Sequence, residues 1–443
     1  MDDLQLACEA RMISDTRGLS ARMSLAWLTS ALLLLSACGA PPMLDIPVAD
    51  SSIEDPRGIS SFRKWAVDRF LGFNTLIGTN SGYIAVFARD GQVVHATTSG
   101  YADIESGRPM QLDTRVRIAS MTKPITAVAA LILVEEGLVG LDDPVERYIP
   151  AAGELRVATS HEFDEDGTLP TAPLARPLTV RDLLTFASGI GDVSDPSDLG
   201  QLWAANDIYA STGSLADRVD RVMTLPLFAQ PGEVWRYGWS ADVLARVIEV
   251  AAEEPFQRFL ESRIFTPLGM TSTSFRAHVE DPSKLATVYM KEKGEGLVPV
   301  PSPPREPVDW TPGGGGLVST AGDYMRFALM LWNGGTYDGV QILSEETVEL
   351  MTQVHVRSGV LADRNIDGVG WGLGLAVVAD ADATPMVDRN GDFWWSGYYS
   401  TTFFVSPETG LVGLVLAQNE PGLDNPNRPY AVHIAPAFVF MGL

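Results

Sequence analysis

Residues 120–136, SMTKPITAVAALILVEE, make a run of helical length that is apolar on nearly every face and contains no glycine. A helix without a polar side belongs inside a large core rather than on a surface. Pro124 falls in the first turn, where its missing N–H would have no intrahelical partner anyway. The run therefore predicts a buried central helix around which the rest of the chain must pack. At 443 residues with 46% hydrophobic content, the chain has the material for such a core, as one large domain or two closely joined ones.

The same run opens on Ser120-Met121-Thr122-Lys123. A serine hydroxyl is a weak nucleophile near neutral pH and needs a base within hydrogen-bond reach. The i, i+3 spacing puts Ser120 and Lys123 on one helical face, and the helix N-terminus favours a developing anion. Desolvation on a core helix disfavours the ammonium form of Lys123, so it can exchange a proton with Ser120. Such a pair supplies a base without histidine. The chain has no G-x-S-x-G elbow and no H-E-x-x-H, and none of its five histidines sits in a nucleophile–base motif.

Four residues with two fixed positions are a weak signal alone, and the surrounding sequence strengthens it. The stretch RIASMTKPITAVAALILVEEGLVGLDDPVERYIP resembles the nucleophile region of the serine β-lactamase and penicillin-binding-protein superfamily, especially its class C-like members and the family VIII carboxylesterases. PLTVRDLLTFASGIG, LFAQPGEVWRYGWSADVLARVIE, FTPLGMTSTSF and GGGGLVSTAGDYMRF follow in the expected order, so the resemblance spans roughly residues 60–440. It implies an α+β fold, in which an antiparallel sheet flanked by helices receives an inserted all-helical lobe. Ser120 would then lie at the floor of the cleft between them.

By position, the resemblance makes Ser120 the acylated nucleophile and Lys123 its general-base partner. Tyr237, in Tyr237-Gly238-Trp239, matches the second-motif tyrosine, whose phenolate or shared proton activates Ser120 and later water; a nearby cationic Lys123 favours that phenolate. Trp395-Ser396-Gly397 stands at the third motif, closest to the Trp-Gly-Gly of family VIII esterases. The backbone N–H groups of Ser120 and Tyr398 are the oxyanion candidates, because acyl transfer concentrates charge on one oxygen.

Three departures bear on substrate. Tyr398 occupies a position that is usually small, so its ring would crowd the acyl pocket. Trp239 stands where β-lactamases and peptidases of this type have asparagine, and Trp395 replaces the lysine that would meet a β-lactam carboxylate. Trp239 and Trp395 are therefore expected to line an acyl pocket, and the loss of both polar handles points to an uncharged ester. The expected activity is an esterase cleaving small acyl esters. The alternatives are a D-alanyl-D-alanine carboxypeptidase or class C-like β-lactamase, and, from another class, a non-catalytic binding lipoprotein. Retention of Ser120, Lys123 and Tyr237 together disfavours the last.

The N-terminal part reads as an export signal. Residues 24–37, SLAWLTSALLLLSA, follow Arg17 and Arg22 and are too short for a comfortable membrane span. The stretch ends in Leu35-Ser36-Ala37-Cys38-Gly39, which resembles a bacterial lipobox and makes Cys38 the expected lipid-attachment residue, anchoring the exported chain to the periplasmic face of a cell-envelope membrane. The acidic opening MDDLQLACEA is a poor n-region and points to initiation at Met12, without Cys8. With both cysteines ahead of the globular part, no disulfide framework or cysteine metal site is available to it. Residues 38–59 read as a tether, 60–145 and 311–443 as two parts of an α/β lobe, and 146–310 as the helical lobe.

Within these parts, SSFRKWAVDRFLGF predicts an amphipathic first helix presenting Phe62, Trp65, Ala66 and Phe70. Arg89-Asp90-Gly91 predicts a hairpin turn, and TTFFVSP-ETG-LVGLVLAQN a second hairpin. Thr179 and Asp182 make a capping box for VRDLLTFAS, closed by Gly189; ADVLARVIEVAAE and FQRFLESRIF are further helices. The formal charge of −24 would repel nucleic acid and anionic head groups. Gly313–Gly316 lacks the lysine of a phosphate loop and reads as a turn beside the sheet. Asp363–Gly368 begins like a calcium loop but has Gly374 where the closing glutamate belongs, and the acidic loop around Glu162, with His161, reads as a solvated turn. No cofactor is implied.

Overall fold

The computed structural model describes residues 60–420, apart from 210–211, 277–281, 293–294, 301–309, 358–366 and 385–388. The expected signal and tether, including Cys38, lie outside the described residues, as does most of the calcium-like loop.

An eight-stranded antiparallel sheet forms the spine, and it draws on both ends of the described chain. After helix α1 (Ser61–Leu76), strands β1 (Gly82–Arg89), β2 (Gln92–Asp103) and β3 (Arg108–Pro109) supply one side. The Asp90-Gly91 turn joins β1 to β2 as the dipeptide predicts, with φ of 49° and 81°. A short strand β4 (Val116–Arg117) leads into a 3-10 turn, Ala119–Met121, and then the central helix α2 (Thr122–Glu135). Every residue of α2 from Thr122 to Leu133 is buried, as its all-round apolar sequence requires.

The inserted stretch holds strands β5 (Arg156–Ala158) and β6 (Thr171–Pro173) and helices α3 (Val180–Leu184), α4 (Asp198–Ala205), α5 (Leu215–Val222), α6 (Ser240–Ala252) and α7 (Phe256–Leu260), followed by strands β7 (Tyr289–Glu292) and β8 (Gly296–Pro299). Alongside its helices it thus carries two short ladders, β5–β6 and β7–β8. The Thr179–Asp182 capping box forms as expected, but α3 stops at Leu184, well before Gly189. Phe186 already has a left-handed φ of 56°, which ends the helix and turns its ring toward the site.

The chain returns through β9 (Val318–Ser319), α8 (Ala321–Trp332), β10 (Thr336–Tyr337), β11 (Val340–Gln341) and α9 (Glu345–Thr352). It closes the sheet with β12 (Val369–Trp371), β13 (Ala376–Val378), β14 (Phe393–Gly397), β15 (Thr401–Ser406) and β16 (Leu411–Leu416). The strand order is β12-β13-β14-β15-β16-β1-β2-β3, so β16 pairs with β1, Ile84 opposite Leu416. Alternation along each strand feeds two cores. Ile84, Val86, Phe403, Val405, Leu414 and Leu416 face α8 and the large inner core. Tyr83, Ala85, Phe87, Phe404 and Val415 face outward, where α1 covers them with Val67 and Leu71.

That packing corrects the expected face of α1. Its buried stripe is Val67, Leu71 and Asn74, with Phe70 of the expected set packing against it, whereas Phe62 is exposed and Trp65 and Ala66 are only half-buried. The helix has apolar residues on two sides, and the side matched to the sheet by register is the one with fewer aromatics.

Candidate active site

The nucleophile turn is fixed from below by its own carbonyls. Gln418 Nε2 donates to the Arg117 carbonyl at 3.0 Å, Thr401 Oγ1 to that of Ile118 at 3.2 Å, and Tyr324 Oη to that of Met121 at 2.9 Å. These side chains come from α8, from β15 and from the segment after β16, so a turn in the first part of the chain is held in place by the last part. Gly397 lets β14 come close: a Cβ there would stand 2.2 Å from the Ile118 carbonyl oxygen. Ala119, immediately before the nucleophile, has φ of 45°, a left-handed conformation that costs an L-residue energy and survives only where its surroundings enforce it.

On this turn, Ser120 Oγ accepts hydrogen bonds from Lys123 Nζ at 3.1 Å and from Tyr237 Oη at 2.6 Å. The ammonium of Lys123 also lies 4.7 Å from the centroid of the Tyr237 ring. The three residues singled out from sequence are therefore in mutual contact, although Tyr237 comes from the loop before α6. The tyrosine ring is held by aromatic neighbours. Phe186 stacks on it at 5.7 Å between centroids, and Trp235 and Trp395 tilt against it at 6.0 and 5.8 Å.

Two neighbours of Lys123 escaped sequence reasoning. The glycine run Gly313–Gly316 crosses between α2 and α6 instead of turning idly beside the sheet. Gly314 takes a hydrogen bond from Lys123 Nζ on its carbonyl, and Gly313 takes one from Thr126 Oγ1 at 2.7 Å. A Cβ on Gly314 would stand 2.6 Å from an Asp242 oxygen, so any larger residue there would displace that carboxylate. Asp242, in the first turn of α6, accepts from the Gly314 N–H at 3.1 Å and is fully buried within the field of Lys123. Burial pushes its carboxyl up to about 6, with the charge of Lys123 and the Gly314 N–H pulling the other way. Its sequence signal is an aspartate in the first turn of ADVLARVIEV, next to residues of the helix's apolar face.

These groups open onto a cavity of about 210 Å³ lined by Ser120, Lys123, Tyr237, Asp242, Arg117, Asp192, Tyr209, Trp310, the Gly314–Gly316 strap, Tyr398 and Tyr399. That is small beside ligand pockets of roughly 300–1,000 Å³. Tyr398 stands at the cavity as its position suggests, and its ring is 38% exposed.

The two tryptophans expected to line the acyl pocket do not line this cavity, which corrects that part of the reading. Trp239 is 1% exposed and stacks on Trp310 at 5.7 Å, so Trp310 and Tyr209 present the aromatic surface in its place. Trp395 is 6% exposed and packs behind Tyr237 and edge-on to Trp371. Ser396 is also buried, with its hydroxyl bonded to Thr402 Oγ1 at 3.0 Å. The Trp-Ser-Gly motif thus supports the reactive groups from behind. Cys38 lies outside the described residues.

Comparison with known proteins agrees with this architecture. Residues 77–436 match the family described as Beta-lactamase. The chain is 35% identical over 364 residues to an uncharacterized protein of Mycobacterium tuberculosis, covering 78% of this chain and 88% of that one. It is 30% identical over 358 residues to esterase EstB of Burkholderia gladioli, covering 76% and 85% respectively. Among solved structures, EstCE1, a hydrolase with promiscuous acyltransferase activity, superposes with a TM-score of 0.71 at 27% identity, over 86% of this chain and 98% of that one.

Proposed function

From the membership of this chain in the β-lactamase family, we propose that it is an esterase that cleaves small acyl esters through a Ser120 acyl-enzyme and passes the acyl group to water or to an alcohol. The observation that carries this reading is the double contact on Ser120 Oγ from Lys123 and Tyr237 at the head of a small, mostly aromatic and glycine-walled cavity.

The chemistry follows from that geometry. Ser120 Oγ attacks the ester carbonyl while its proton passes to Tyr237 Oη, the reacting form being the tyrosinate beside the Lys123 ammonium, with the Ser120–Tyr237 hydrogen bond then donated by the serine. Charge gathers on the carbonyl oxygen, with the N–H groups of Ser120 and Tyr398 as its donors. Collapse breaks the bond to the alcohol, whose oxygen takes the proton back from Tyr237. Water or a second alcohol then enters, gives its proton to Tyr237 and releases the acyl group, regenerating Ser120. Asp242 does not reach Ser120; its role is to balance the charge of Lys123.

The preference for an ester over a β-lactam rests on the third motif. Trp395 stands where a lysine would meet a carboxylate, and it is turned into the core. Arg117 lines the cavity, but its Nη1 donates to the Ala286 carbonyl at 3.2 Å. The likeness to the esterase EstB and to EstCE1, a hydrolase with promiscuous acyltransferase activity, supports the same preference. Initial rates on p-nitrophenyl butyrate and on a chromogenic cephalosporin, for the native protein and Ser120→Ala, test it. Ester turnover that needs Ser120, with little cephalosporin turnover, is expected; the reverse preference would place the activity with the β-lactamases.

We also propose that Cys38 carries a lipid, on the strength of the Leu-Ser-Ala-Cys-Gly sequence closing the apolar run. Incorporation of labelled palmitate into the native chain but not into Cys38→Ser is the expected result.

A further inference from the structure

Helix α1 has a second apolar face that, among the described residues, stands exposed. With about 100° of rotation per residue, Val67, Leu71 and Asn74 form the buried arc against the sheet. Phe62, Phe73, Leu76 and the capping residue Ile77 fall within an arc of roughly 100° on the other side, and they are 65%, 55%, 80% and 51% exposed. Trp65, half-buried, stacks on Phe62 at 5.8 Å beside that arc. Large apolar side chains exposed together on one helix face mark a contact surface.

Charge singles out the same helix. The chain carries a formal charge of −24, yet α1, SFRKWAVDRFLGFNTL, has Arg63, Lys64 and Arg69 against Asp68 alone. Arg69 is exposed and lies within the apolar arc. Aromatic and aliphatic residues interspersed with cations on one exposed helix face are what an interfacial helix needs: the apolar groups enter the acyl boundary and the cations meet lipid phosphates.

The helix also sits at the right place in the chain. It is the first described element, and residues 38–59 separate it from Cys38. A tether of that length extends to at most roughly 75 Å, so α1 is the part of the catalytic unit a membrane-bound N-terminus keeps nearest the bilayer, at high effective concentration. We infer that the outer face of α1 docks on an anionic phospholipid surface through Phe62, Phe73, Leu76 and Ile77, with Arg69 inside the apolar arc and Arg63 at its edge as the cations. The repulsion expected from the overall charge is then overcome locally, by a basic apolar face near the membrane end of the chain.

The test uses residues 42–443, whose described part shares one large core, without any lipid, so that binding reports the helix and not an acyl anchor. Ester hydrolysis and a single melting transition establish that the fold is intact. Co-sedimentation with phosphatidylglycerol–phosphatidylethanolamine vesicles should show binding that weakens at least about tenfold in the triple variant Phe73→Ser, Leu76→Ser, Ile77→Ser, and by a similar factor on pure phosphatidylcholine. Because the replaced side chains are exposed, the variant should keep its melting temperature and its ester turnover. Binding equal in the two proteins, no binding by the native protein, or a dimer in sedimentation velocity that the triple variant dissolves would each overturn the assignment, the last by showing that a second copy covers the face.

Discussion

Tyr237 Oη approaches Ser120 Oγ to 2.6 Å, nearer than the 3.1 Å of Lys123 Nζ, although Lys123 is the sequence neighbour and Tyr237 lies 117 positions away. In the proposed mechanism the tyrosine is the immediate proton partner of Ser120. Tyr237→Phe should therefore lower kcat by about 10²–10⁴ on p-nitrophenyl butyrate while leaving the melting temperature nearly unchanged. A loss in KM alone would assign Tyr237 to binding.

Asp242 should shape the pH dependence of both stability and rate. Its folded value of about 6 lies above its ordinary 3.8, so the folded state holds the proton more tightly. The stability this gives is fully present below about pH 4 and is lost as pH rises through 6, on the order of 3 kcal/mol in all. Asp242→Asn should flatten that slope in denaturation measured from pH 4 to 8. It should also move the acidic limb of kcat/KM, because the group facing Lys123 no longer gains charge near pH 6.

Trp395 touches Tyr237 and not the cavity. Trp395→Phe keeps an aromatic ring but loosens the clamp on the tyrosine, so kcat should fall several-fold with KM nearly constant in steady-state assays. A change confined to KM would return Trp395 to the substrate-lining role that its sequence position suggests.

Gly397 is a steric device. An added Cβ meets the Ile118 carbonyl at 2.2 Å and Thr401 Oγ1 at 2.3 Å, and the backbone atom cannot yield without moving the turn that carries Ser120. Gly397→Ala should cost about 1–3 kcal/mol in chemical denaturation and reduce kcat by more than that loss of folded protein explains.

What the sequence revealed and what it hid divide along physical lines. The central helix, the Asp90-Gly91 hairpin, the Thr179–Asp182 capping box and the Ser120–Lys123 pair all depend on residues within a few positions of one another, so local pattern suffices. The Gly314 strap meets Lys123 across 191 positions and Asp242 across 72, and such approaches leave no local trace. Trp239 and Trp395 were assigned to the cavity because their motifs flank it, but a motif fixes where a backbone passes and not which way a ring turns. The first helix shows the limit of periodicity most plainly. With apolar residues on two faces, the sequence identifies a helix and cannot say which face the sheet will take.

The central claim is that Ser120 becomes acylated with help from Tyr237. Treating the native protein with a fluorophosphonate and locating the adduct by peptide mass spectrometry tests it most directly. The account predicts a single adduct on Ser120 in the peptide that also contains Lys123, formed much more slowly in Tyr237→Phe and absent in Ser120→Ala. An adduct on another residue, or undiminished ester turnover in Ser120→Ala, would contradict it.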